Sequence, residues 1–345
     1  MAALLAEARD LLTFALILGG AVAIHEAGHL AAALLARVRI LEVGIGLPPR
    51  LVTLGRARGT LISLNLIPLG GFVRPAGEFD GSDPRDFAAR PRALRAAVLA
   101  AGPAANVATA FFLLLAAFVI GGPDASLARV VEVSAGSPAW AAGLLSGDVV
   151  HWRQFPGVTG EPSLSEMLWA GAGRPVRLEI ERDGVARWIV LTPRLVPPVG
   201  QGPAGFTTRA VIRRHALAEA TERAAETLVG FLRETVAAIA GDEPARVVGP
   251  LGLKQASDQA VEGAARWSLL FPLLYLAALI NTGLALTNLL PIPALDGGRL
   301  ALLGIEALGL RLTPGLTKVL VGVSAVGLLC LMAALTVRDM IDPLL

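Results

Sequence analysis

The sequence predicts an α-helical polytopic membrane protein with four spans, a membrane-associated β-hairpin and one compact α+β domain outside the membrane. Three observations carry that prediction. Of 345 residues, 54% are hydrophobic and 17% charged, against about 25% charged in soluble domains, and the mean hydropathy is +0.64. Four apolar runs, Leu11–Leu35, Leu94–Ile120, Trp267–Leu290 and Leu316–Val337, are each long enough for one helical pass, which takes about 20 residues. Between the second and third runs, short alternating segments separated by Gly, Pro and Asp replace the apolar pattern.

Composition also excludes some classes. The formal net charge is +2, and no basic cluster is dense enough for nucleic acid. The one cysteine, Cys330, lies in an apolar run, so no intrachain disulfide is possible.

The elements follow in order. Residues 1–36 hold the first transmembrane helix. Met1–Asp10 lacks the basic segment and cleavage site of a signal peptide, and the run after it carries two histidines, so its removal is not expected. Residues 37–93 form a cytoplasmic, membrane-associated hairpin region. Leu41–Leu47 and Thr60–Leu66 have strand character, Pro48-Pro49 and Gly55–Gly59 supply turns, and the region ends on Pro68-Leu69-Gly70-Gly71-Phe72-Val73. It is too apolar for a solvent loop, and non-helical backbone at membrane depth needs protein or a wet cavity beside it.

Residues 94–121 are the second span. Asn106 is polar inside it, which suits either an interhelical hydrogen bond or support of an active site. A compact domain follows over 124–198. Its strands are Ala128–Val133, Val149–Arg153, Val176–Arg182 and Val185–Thr192, with a short helix at Ser163–Ala170. Asp183-Gly184 is a strong hairpin signal. Residues 199–266 read as an amphipathic helical linker region, with the helical pattern running from Thr208 to Ala240. That helix would lie on a membrane surface or pack on the compact domain. Gly249-Pro250-Leu251-Gly252 then breaks the chain. Residues 267–345 carry the third and fourth spans, joined by Asn288-Leu289-Leu290-Pro291-Ile292-Pro293-Ala294-Leu295-Asp296-Gly297-Gly298-Arg299.

The chemistry concentrates at Ile24–Leu30, I-H-E-A-G-H-L. His25 and His29, half of the four histidines, sit at i and i+4, one turn apart on one helix face. Two imidazoles so placed can share one metal ion. Glu26 is offset by one residue, within reach of an activated water as general base. This is the H-E-x-x-H zinc pattern. Ionisable groups inside a span are costly and default to function. Catalytic zinc sites usually have three protein ligands. His151 and His215 lie in the water-exposed part and are poor candidates for the third. Asp296 is better placed, in a Pro/Gly-broken segment. Its other readings are an ion pair with Arg299 or a cap on the helix that follows.

Ten arginines between Arg37 and Arg95, with Arg299, Arg311 and Lys318 in the last inter-span segment, place both segments in the cytoplasm by the positive-inside rule. The expected location is the inner membrane, multi-pass. The metal site then faces the cytoplasm and the compact domain lies outside it.

These motifs together resemble the site-2 protease family of intramembrane zinc metalloproteases. The nearest branch is the bacterial regulator-of-sigma-E protease type. The matching residues are His25-Glu26-Ala27-Gly28-His29, Gly70-Gly71-Phe72-Val73, Gly102-Pro103-Ala104-Ala105-Asn106, Gly249-Pro250-Leu251-Gly252 and Asn288…Pro291…Pro293…Asp296-Gly297-Gly298. They come in the family order over nearly the whole chain. The run Gly136-Ser137-Pro138-Ala139…Ala142-Gly143-Leu144…Gly147-Asp148 resembles a bacterial PDZ domain, in one copy where some relatives have two. The resemblance implies His25, His29 and Asp296 as Zn²⁺ ligands, Glu26 as catalytic base and Asn288 as a substrate-positioning residue.

It further implies regulated intramembrane proteolysis: hydrolysis in or near transmembrane segments of single-pass membrane proteins of the anti-sigma-factor type. Partners are then those substrates and the lipid bilayer, with the PDZ-like domain a candidate for peptide contacts. A transmembrane helix hides its carbonyls in its own hydrogen bonds, so it must be opened and held extended. The Leu41–Leu66 hairpin is expected to offer a strand edge for that. Two other classes compete. A non-catalytic membrane PDZ scaffold with a structural metal site has no use for Glu26. A metal transporter needs polar residues lining Trp267–Ile280 and Val319–Leu335, which offer almost none.

Overall fold

The computed structural model describes residues 1–79, 81–151, 164–240, 250–267, 270–310 and 312–341. In chain order the elements are α1 (Ala2–Leu35), β1 (Ile40–Ala57), β2 (Thr60–Pro75), a 3-10 turn (Phe87–Ala89), α2 (Arg92–Ile120), β3 (Gly122–Val133), α3 (Pro138–Ala141), β4 (Val149–His151), α4 (Leu164–Ala170), β5 (Val176–Arg182), β6 (Val185–Leu191), β7 (Phe206–Arg213), α5 (Leu217–Ala240), α6 (Pro250–Trp267), α7 (Phe271–Asn288), α8 (Asp296–Ala307) and α9 (Pro314–Ile341). They fall into two units. One is Met1–Ala116 with Phe231–Leu345, the other Ala117–Gly230.

Among the described residues, four helices are long and apolar enough to cross a membrane: Leu4–Leu35, Arg92–Ile120, Phe271–Asn288 and Pro314–Ile341. They coincide with the four apolar runs of the sequence. With the β-sheets they make a polytopic membrane protein that carries a β domain.

In the first unit, α1 and α2 approach closely because small residues line their contact. A Cβ on Gly28 would meet the Ala101 carbonyl oxygen and come within 2.8 Å of the Ala105 Cβ, the small-residue packing of membrane helices. Two apolar clusters flank the His25–His29 turn of α1. Ala21, Ala260, Leu276 and Ile280 join α1 to α6 and α7. Ala33, Ala36, Val38, Ile40, Phe87, Val98 and Leu99 join the end of α1 to the sheet, the 3-10 turn and the start of α2. The fully buried Asp339 of α9 accepts from the Gly252 amide at 3.2 Å, holding the first turn of α6. Gly249 lies outside the described residues.

The expected hairpin is a sheet of four segments. Glu42, Val43, Gly44 and Ile45 each have two partners. On one side Leu61–Leu64 run in step with them; on the other Gly71–Arg74 run in the opposite sense. Arg50–Ala57 close the other side of Thr60–Asn65. The lateral order is therefore 70–75, 40–46, 60–66, 50–57. Thr60–Leu66 is an inner strand, not an edge. The edges are 70–75 and 50–57. Glu42, 2% exposed, pins all four segments. Arg50 donates to it at 2.7 Å and Arg74 pairs with it from the far strand. Burial pushes the Glu42 carboxyl up, but bonds from Ser63 and Arg50 and the charge of Arg74 outweigh burial and hold it below its ordinary range.

The second unit is a five-stranded antiparallel sheet in the order β6-β5-β4-β3-β7, with α3 and α4 packed on a core that includes Val130, Ala139, Leu144, Val150, Leu168 and Ile180. Asp183 and Gly184 both have positive φ, 54° and 77°, the type I′ turn expected between β5 and β6. The Ser137 side chain caps α3 by accepting from the Trp140 amide at 3.1 Å. Asp148 is buried, accepting from the Leu145 amide and from Arg182 at 2.6 Å. Burial raises its carboxyl pKa, and the Arg182 and Leu145 bonds more than reverse that. The end of the expected strand Val149–Arg153, from Trp152 on, and Ser163 lie outside the described residues.

A second sequence expectation, after that of the hairpin edge, is corrected. Thr208–Arg213 is strand, not helix, and α5 starts at Leu217. Thr207, Thr208, Val211 and Ile212 are β-branched and favour a pleated strand. The free side of β3 supplies the partner, from Gly122↔Arg213 to Val133↔Phe206.

Candidate metal centre

α1 carries His25, Glu26 and His29 on its inner side, and His25 is 6% exposed. The two imidazoles meet edge to face, with Nε2 atoms 3.1 Å apart. The third group comes from the other end of the chain. α7 ends at Asn288, the Pro291-Ile292-Pro293 segment turns back, and α8 begins at Asp296. That turn is tight enough to need glycine. A Cβ on Gly297 or Gly298 would collide with the Leu289 or Ile292 carbonyl. The turn brings Asp296 Oδ2 to 3.1 Å from both Nε2 atoms.

His29 Nδ1 lies 2.8 Å from the Val98 carbonyl oxygen of α2. A carbonyl only accepts, so Nδ1 carries the proton and Nε2 keeps its lone pair. His29 Nε2 and Asp296 Oδ2 are then two lone-pair atoms 3.1 Å apart, with His25 Nε2 also 3.1 Å from each, an arrangement that a cation among them would stabilise. Donors about 2 Å from one tetrahedral zinc stand about 3.3 Å from each other. The donor set and its spacing therefore fit one metal ion. Among the described residues, His25, His29 and Asp296 are the only group of three or more His, Cys, Asp or Glu so placed. α2 leaves room for them only because residue 102 is glycine: a Cβ there would strike His29 and come within 2.9 Å of His25 Cε1.

A cavity of about 240 Å³ opens beside these groups, lined among others by Glu26, Val73, Asn288 and Arg299. Glu26 Oε2 accepts from the Val73 amide at 2.9 Å. That amide points away from strand 40–46, so it belongs to the free edge of strand 70–75. Asn288 is turned back on its own helix, donating to the Leu284 carbonyl at 2.9 Å. Arg299 does not reach Asp296; it pairs with Glu78 at 2.5 Å. Nor does Asp296 cap α8 with its side chain. His151 and His215 lie in the second unit and face Glu181 at 3.4 Å and Glu219 at 2.9 Å.

Two contributors could not be foreseen from side-chain type: the Val98 carbonyl and the Val73 amide. Both are backbone groups. Their only sequence signals were indirect, the glycines at 71 and 102 that let strand and helix come close.

Comparison with known proteins agrees with this arrangement. Residues 13–334 match peptidase family M50. A protein of Synechocystis sp. named "putative zinc metalloprotease slr1821" is 31% identical over 94% of this chain and 93% of its own length. A Clostridium acetobutylicum protein with the same kind of name is 27% identical over 95% and 96%. Metalloprotease MmpA of Caulobacter vibrioides is 28% identical over 87% of each chain. The chain belongs to peptidase family M50, the site-2 protease family, and is a zinc metalloprotease.

Proposed function

We propose that this enzyme hydrolyses peptide bonds in or near transmembrane segments of membrane proteins, with His25, His29 and Asp296 holding the zinc. The observation that carries the reading is the meeting of these three donors on a membrane-length helix, with a carboxylate one residue away. Zinc, when bound, supplies Lewis acidity, polarising a peptide carbonyl and making water nucleophilic near neutral pH. Glu26 takes the proton of the attacking water and returns it to the leaving amine. The Val73 amide fixes one carboxylate oxygen and orients the other. Asn288 rotates away from Leu284 to hold the substrate backbone.

The substrate is held extended along strand 70–75. Residues alternate in direction along a strand, so the carbonyls of Gly71 and Val73 share the outward direction of the Val73 amide. An opened substrate segment donates to them by strand addition. This moves the docking edge from the Leu41–Leu66 hairpin to its C-terminal neighbour.

The arginine distribution supports an inner-membrane location with the metal site towards the cytoplasm and the β domain on the other side. The Ser137 cap and the motif around it support a PDZ-like identity for residues 124–198, completed by a fifth strand at Phe206–Arg213. Such a domain suits control of access by substrates with cleaved ectodomains, as in regulated proteolysis of anti-sigma-factor-type proteins. Single-turnover cleavage of a model transmembrane peptide, with and without a chelator, tests the proposal. Zinc-dependent cuts inside the apolar segment are expected. Intact peptide in the zinc-loaded enzyme would leave a scaffold.

A further inference from the structure

The two histidines share one task but not the same support. Metal-ligating histidines nearly always donate the other ring N–H to an acceptor, which sets ring orientation and tautomer. His29 does so, Nδ1 to the Val98 carbonyl at 2.8 Å. His25 Nδ1 is buried and has no hydrogen-bond partner among the described residues. A second orphan lies on α2. Asn106 is 0% exposed, and among the described residues neither its Oδ1 nor its Nδ2 has a partner. A buried amide unpaired at both ends is costly, and in a native protein it calls for an explanation.

The helix geometry brings the two orphans towards each other. Val98, Gly102 and Asn106 are spaced by four and share one face of α2. Val98 meets His29. One turn on, the Cβ position of Gly102 lies against both rings, 2.9 Å from His25 Cε1. The two helices run in opposite senses here, so one further turn of α2 passes beyond His29 on the His25 side. Asn106 occupies that turn. Its Oδ1 is an acceptor and His25 Nδ1–H needs one.

We propose that Asn106 is a positioning residue that accepts the Nδ1–H of His25, directly or across one buried water. It thereby presents His25 Nε2 to the metal, as the Val98 carbonyl does for His29. The inference rests on the metal-site reading above.

The experiment is zinc affinity by chelator competition on the purified full chain, with circular dichroism of the zinc-free protein alongside. Asn106→Leu, close in volume, should bind zinc about 10- to 100-fold more weakly with unchanged helix content. Asn106→Asp keeps an acceptor and should bind at least as tightly as the parent. Cobalt substitution adds a spectroscopic readout: the visible bands should shift in Asn106→Leu and stay near those of the parent in Asn106→Asp. Parent-like affinity and bands in Asn106→Leu would overturn the proposal. So would an Asn106→Asp protein as weak as Asn106→Leu, which would mark a packing role. His25→Ala is the control: parent-like zinc affinity there would overturn the metal-site reading and this inference with it.

Discussion

Glu26 follows His25 directly, yet its carboxylate is held by a different element, the Val73 amide at 2.9 Å. The proposed base therefore answers to the sheet as well as to the helix that carries the two histidines. Glu26→Gln keeps that hydrogen bond through its amide oxygen but cannot take a proton. Zinc content and fold should be unchanged and cleavage slower by about 10²- to 10⁴-fold. Full zinc with near-normal turnover would remove Glu26 from the mechanism. Asp296 belongs to the same scale. It touches both imidazoles at 3.1 Å, and Arg299 is engaged with Glu78. Asp296→Ala should bring zinc occupancy to background by elemental analysis and abolish cleavage. His151→Ala and His215→Ala should leave zinc content alone; loss of zinc in either would mean a ligand set different from this one. His25, Glu26 and His29 were legible in the sequence because a fixed helical spacing imposes their geometry. Asp296 was legible because a carboxylate beside Pro and Gly in an apolar run has few other uses. The supports at Val73 and Val98 were not, because any residue has an amide and a carbonyl.

At the scale of elements, the four-segment sheet depends on one buried carboxylate. Glu42 meets Arg50 and Arg74 from strands on opposite edges. The proposed metal donors all sit on helices, so Glu42→Gln should separate the two functions. Zinc occupancy should stay full. Strand 70–75 should loosen, displacing the Val73 amide and with it Glu26. A displacement of 1 Å can cost about a hundredfold in rate, and a loss of that order is expected. Loss of zinc together with activity would show that the sheet holds the metal site and not only the base. In the β domain the matching device is Asp148 with Arg182, 2.6 Å apart. The Asp148 carboxyl is held below its ordinary value, so its contribution to stability is present above about pH 4 and lost as pH falls through the lowered folded value. Four of the five tryptophans, all but Trp267, lie between Trp140 and Trp188, so acid titration of tryptophan fluorescence follows this domain. Asp148→Asn should flatten the acid limb; an unchanged limb would assign acid sensitivity elsewhere. The turn at Asp183-Gly184 could be read in advance because it needs positive φ. β7 could not, because Arg213, Arg214, Glu219 and Glu222 mimic a helical polar stripe running on into α5. The β-branched run only becomes decisive once β3 offers it a partner.

At the scale of the whole molecule, the proposed activity pairs a metal centre built on helices with a strand edge built on a sheet. A stable helix in a bilayer satisfies every backbone group internally. Opening it exposes groups that lipid cannot satisfy, so the cost must be offset where the segment is cut. Strand 70–75 can offset it, since Gly71 and Val73 turn carbonyls outward beside Glu26. Cleavage should then depend on how easily the substrate helix opens. Gly costs a helix about 1 kcal/mol relative to Ala, and Pro about 3 kcal/mol. One helix-breaking residue near the scissile bond should speed cleavage, and leucine in its place should slow it. A second substrate series isolates the edge. Replacing one substrate amide near the scissile bond by an ester removes a single N–H that would donate to the Gly71 or Val73 carbonyl. The ester also weakens the substrate helix, so opening alone predicts faster cleavage and edge pairing predicts slower. In a substrate already opened by proline only the edge effect remains, and the ester should slow it clearly. Turnover indifferent to helix breakers would sink the opening step. An ester that never slows the pre-opened substrate, wherever it is placed within three residues of the cut, would sink the strand edge as the docking surface while leaving the metal centre untouched.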